Sequence, residues 1–97
     1  MLKTLADDLR SIKPRGWSVV LSSNGIIVRP KDRTTGKFHI SFVRDETCSA
    51  MFFSRGLNYW NKTKHFNPDA ALAASLMEWM QSAVAEPLKR VDSLHSL

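Results

Sequence analysis

The chain has 97 residues, 43% of them hydrophobic and 24% charged, enough for one core and for a single domain over residues 1–97. That balance excludes wholesale disorder, and no apolar run approaches the roughly 20 residues needed to span a bilayer. The formal charge of +5 points to an anionic partner, nucleic acid or an acidic protein patch, and argues against an acidic nucleic-acid mimic.

Leu2, Leu5, Ala6, Leu9 and Ile12 recur at helical spacing, which predicts an amphipathic helix over residues 3–12. Thr4 and Asp7 are spaced as a capping box, and Pro14 ends the helix by pushing its predecessor out of the α region. Gly16 turns the chain into a strand over 17–22, with Trp17, Val19 and Leu21 on one face. Asn24-Gly25 reads as a tight hairpin turn, and residues 26–29 return as a second strand ended by Pro30. A polar connection with Lys31 and Arg33 leads to a third strand over 37–44, with Phe38, Ile40 and Phe42 inward. Residues 49–54 read as a fourth strand.

From Arg55 to Phe66 the hydrophobic period is lost, and the segment is aromatic, basic and free of acids. Residues 67–85 then read as the main helix: Asn67 as N-cap, Pro68 at the first position and Asp69 against the positive end of the dipole. Leu72, Leu76, Trp79, Met80, Ala83 and Val84 form its apolar stripe, and Met77 lies off it. Pro87 breaks the chain, leaving 88–97 as a short terminal helix or a tail. The fold class is therefore α+β: an N-terminal helix, an antiparallel meander of three to four strands and a long amphipathic helix packed on one face.

Enzyme chemistry has little to stand on. His39, His65 and His95 fall in three different elements and Cys48 stands alone, so no metal site is assigned. Asp7-Asp8 and Asp45-Glu46 are adjacent pairs whose side chains diverge, better read as solvated charges than as acid/base partners. The glycines are spaced as turns. No catalytic residue and no cofactor is assigned. A chain with one cysteine and no secretory signal is expected in the cytoplasm.

Binding chemistry is better represented. Arg55, Tyr59, Trp60, Lys62, Lys64 and His65 mix cations with aromatic faces, a combination that suits a protein interface or nucleic-acid stacking; the plainer alternative has Tyr59 and Trp60 closing the end of the core. Arg29, Lys31, Arg33 and Lys37 form a second basic group. Pro68 is read first as a helix start, and second as a surface Asn67-Pro68 bond that a prolyl isomerase would grip.

The Arg15-Gly16-Trp17 step and the Asn24-Gly25 hairpin are similar to those of HicA-type toxin ribonucleases, but Ile26-Ile27-Val28 stand where that family carries its catalytic histidine. In size, basic character, the segment Arg55 to His65 and the Asn67-Pro68 junction, the chain resembles the small lambdoid-phage accessory proteins of the P22-type anti-RecBCD kind. That resemblance implies a non-enzymatic protein in the host cytoplasm. It would bind and modulate a RecBCD-type helicase–nuclease, protecting phage DNA and favouring recombination. The alternative is a small basic nucleic-acid-binding domain.

Overall fold

The computed structural model describes residues 2–32, 35–43, 47–54 and 61–95, and only the backbone of residues 54, 61 and 86–95. Two helices and five strands follow in the order α1 (Leu2–Ile12), β1 (Ser18–Ser22), β2 (Gly25–Arg29), β3 (Gly36–Val43), β4 (Thr47–Ser54), β5 (Asn61–Phe66) and α2 (Leu72–His95). The strands form one antiparallel meander in sequence order. Helix α1 packs over β1 and β2, α2 packs over β4 and β5, and the two helices touch each other.

The buried set shows why the helices share one side. Val19, Ile26, Val28, Phe38, Ile40, Cys48, Ala50 and Phe52 alternate along their strands with polar or half-exposed residues, and alternation places them all on one face. Leu5, Ala6 and Leu9 from α1 and Leu72, Leu76, Met77, Met80 and Ala83 from α2 cover that face. Phe38 lies at the centre. Its ring stacks on Phe52 at 4.5 Å between centroids, lies 6.3 Å from Trp17 and meets the edge of Trp79 at 5.8 Å.

Several local expectations are corrected. The meander has five strands rather than three or four, because Asn61–Phe66 pairs with β4 through Cys48↔Phe66 to Phe53↔Asn61. This edge strand carries lysines where an interior strand would carry apolar residues, a usual protection against edge-to-edge pairing, so its sequence lacks a hydrophobic period. The first hairpin turns on Ser23-Asn24, since Ser22 pairs with Gly25; Gly25 is the first residue of β2. Thr4 lies inside α1, which begins at Leu2, and Asp7 pairs with Arg10 at 3.1 Å instead of closing a capping box. The Arg10 Nε–H also donates to the Val19 carbonyl at 3.2 Å, tying α1 to edge strand β1.

Helix α2 differs at both ends. It starts at Leu72, and Asn67 and Pro68 lie before it, exposed. The cap is Asp69, whose Oδ1 accepts from the Ala71 N–H at 3.0 Å while its carbonyl accepts from the Leu72 N–H at 3.1 Å. Toward the C-terminus the helix runs through Pro87 to His95, and among the described residues no separate terminal helix follows it. Proline costs an internal helix one hydrogen bond, yet its fixed φ is itself helical. Met77, 4% exposed, belongs to the core.

Replacing the true cap should therefore matter and replacing the expected one should not. Asp69→Ala is expected to lower unfolding free energy by about 1 kcal/mol, and Asn67→Ala by less than about 0.5 kcal/mol, as for exposed sites elsewhere, both read from urea denaturation.

Candidate docking surface

With both helices on one side, the other side of the sheet faces outward, and the registers fix what it displays. Val20 pairs with Ile27, Ile27 with His39, His39 with Met51 and Met51 with Thr63, making one row across all five strands. In the row beside it Ser18 pairs with Arg29, and Lys37 with Phe53, which pairs with Asn61; continuing the β2–β3 register sets Arg29 opposite Lys37. A third row joins Ser41, Ser49 and His65.

This face is a mixture of apolar and cationic groups. Ile27, His39, Met51 and Phe53 are half-buried, Lys37 and His65 are exposed, and Val20 is 45% exposed. Among the described residues the face carries Arg29, Lys37, His39 and His65 and no aspartate or glutamate. The described carboxylates lie elsewhere: Asp7 and Asp8 on α1, Asp32 in the β2–β3 connection, and Asp69 and Glu78 at and on α2. Ile27, Lys37, His39 and Phe53 surround a depression of about 350 Å³.

Gly25 sets the shape of one wall. A Cβ there would collide with the Ile40 carbonyl oxygen and come within 3.1 Å of His39 Nε2. The bare Cα thus leaves room for the imidazole to lie against the hairpin. Sequence reading assigned Gly25 to a turn and His39 to no role; only the fold brings the imidazole close to the Gly25 Cα.

The described residues among those expected to bind a partner fall on both faces of the sheet. Arg55, Tyr59, Trp60 and Arg33 lie outside the described residues. Lys62, Lys64 and His65 stand on β5 and not in an irregular loop, and the strand divides them. Lys62 pairs with Phe52 and Lys64 with Ala50, on the helix side, whereas His65 pairs with Ser49 on the open side. Lys64 Nζ lies 5.3 Å from the centroid of the Phe66 ring, and that ring meets Trp79 at 6.0 Å, so Lys64 borders the aromatic core. The second basic group also divides. Arg29 and Lys37 stand side by side on the open face, while the aliphatic stem of Lys31 crosses Gly16, where an added Cβ would lie 2.8 Å from Lys31 Cγ.

Among the described residues no three of His, Cys, Asp and Glu converge as a metal site, and no helix is long and apolar enough to cross a membrane. Cys48 is buried in the core, and burial pushes its thiol from the ordinary 9.0 up to about 11. At neutral pH it is therefore an uncharged group packed in the core. Comparison with protein-family models, with curated proteins and with solved structures finds no match for this chain.

Because the folded thiol resists ionisation, its contribution to stability is complete below pH 9 and is lost as pH rises toward 11. The stability advantage of the parent chain over Cys48→Ala should accordingly shrink between pH 9 and 11, read as converging urea midpoints.

Proposed function

We propose that this chain is a non-enzymatic docking domain that binds and modulates a nucleic-acid-processing enzyme by contact, with a RecBCD-type helicase–nuclease as the partner its sequence resemblance suggests. Such binding would protect phage DNA and favour its recombination. The observation that carries the reading is the open sheet face, where Val20, Ile27, Met51 and Phe53 stand among Arg29, Lys37, His39 and His65 without a described carboxylate. A helix-free sheet face with half-exposed Ile27, Met51 and Phe53 has the make-up of an interface core, and cations at its margin speed encounter with an acidic surface.

The connection holding Arg55, Tyr59 and Trp60 joins Ser54 to Asn61, which lie at the end of the sheet occupied by Lys37 and Phe53. In this proposal these three residues supply the residue types that dominate interface affinity, while Lys62 and Lys64, on the helix side of β5, would reach a partner only around the sheet edge. The exposure of Asn67 and Pro68 ahead of α2 favours a further contact: released from a helix-start role, this bond is accessible to a prolyl isomerase.

Purified RecBCD-type enzyme mixed with the chain should co-elute with it in size-exclusion chromatography and change its nuclease rate. Combined Arg29→Glu and Lys37→Glu is expected to weaken that association at least tenfold. Absence of co-elution, together with retention of the chain on oligonucleotide resin, would overturn the reading in favour of direct nucleic-acid binding.

A further inference from the structure

The depression on the open face has a chemistry narrower than the surface around it. Ile27 and His39 are cross-strand partners, Lys37 and Phe53 are cross-strand partners, and Lys37 and His39 are two apart on β3. The four side chains therefore stand at the corners of one patch, with the Ile27 and Phe53 side chains across a diagonal. Between them lies space of about 350 Å³, ample for one large side chain. Lys37 and the neighbouring Arg29 stand at its margin, and no described carboxylate shares the face.

We infer that this depression anchors a partner segment in which an aromatic or branched apolar side chain is flanked by carboxylates. The apolar group would lie against Phe53 and Ile27, gaining ring–ring or ring–aliphatic contact. The flanking carboxylates would reach Lys37 and Arg29, where charge-assisted hydrogen bonds fix register. The inference deepens the docking reading and relies on it only for which face is used.

Two other occupants fit less well. Single-stranded nucleic acid is held by successive aromatic rings that stack successive bases, beside a track of cations for the phosphates. On this face Phe53 is the one Phe, Tyr or Trp among the described residues, its neighbours Ile27, Met51 and Val20 are aliphatic, and Arg29 and Lys37 are its described permanent cations. A second copy of the chain would bring Arg29 and Lys37 toward their own copies, with no described carboxylate on the face to offset them.

The test uses the full chain and four fluorescein-labelled probes read by anisotropy: a peptide with a central Phe between Asp and Glu residues, the same peptide with Ala for Phe, a Lys-flanked Phe peptide, and oligo-dT. The acidic Phe peptide should bind at least tenfold more tightly than either control peptide and than oligo-dT. Phe53→Ala and Lys37→Glu should each weaken it about tenfold or more. Lys3→Glu, the same charge reversal at an exposed position on α1, should change it less than twofold. Lys37 is exposed, so its variant keeps the test valid should Phe53→Ala unfold.

Equal binding of the Ala peptide, equal loss in Lys3→Glu, or tighter binding of oligo-dT would each overturn the inference. If the acidic Phe peptide fails to bind while the chain still co-elutes with the helicase–nuclease, the anchor site falls and the docking reading stands. If the peptide binds as described and no co-elution occurs, the anchor site stands and the choice of enzyme falls.

Discussion

The packing of Phe38 is the constraint on which the rest of the structure depends. It sits on the central strand of five, fully buried, with Phe52 stacked on it from β4, Trp17 beside it at the entry to β1 and Trp79 edge-on from α2. Those contacts tie both halves of the sheet and the long helix to one ring. Trp79 carries the chain of rings on to Phe66 at the β5 edge. Aromatic pairs of this kind add about 0.5–1.5 kcal/mol each beyond the area they bury.

That arrangement has a consequence for function. A small chain has apolar material for one core, and here both helices spend it on the same face of the sheet. The opposite face keeps the alternate residues of every strand, which include Ile27, Met51 and Phe53 as well as cations. Patches of that composition on an otherwise polar surface mark interaction sites. The described carboxylates lie on α1, on α2, at its cap and in one connection, so the described charges on the face are all cationic. The docking proposal follows from this asymmetry rather than from any single motif.

Much of the fold was legible because its core positions obey simple periods. Leu5, Ala6 and Leu9 at helical spacing, and Phe38 and Ile40 at strand spacing, are buried as their patterns require. What was illegible has physical causes. β5 reads NKTKHF because an edge strand beside a helix needs few apolar residues, so no alternation announces it. The cap fell to Asp69, whose side chain and carbonyl close the first turn, and Asn67, Pro68 and Asp69 are all acceptable caps or starts that local preference does not rank. Pro87 was read as a break although a proline's φ is compatible with helix. The docking face was least legible of all. Arg29 and Lys37 were seen as charges near a connection, and only strand register places them side by side, with Phe53 beside Lys37.

Side-chain hydroxyl-radical labelling, with and without the RecBCD-type enzyme, tests the central claim most directly, since it distinguishes the two faces of one sheet. In the free chain Met51 and Phe53 should label while Met77 and Met80, buried between α2 and the sheet, do not; in the complex Met51 and Phe53 should become protected. Continued labelling of Met51 and Phe53 in a stoichiometric complex, with protection appearing instead on exposed positions of α1 such as Ile12, would contradict the account.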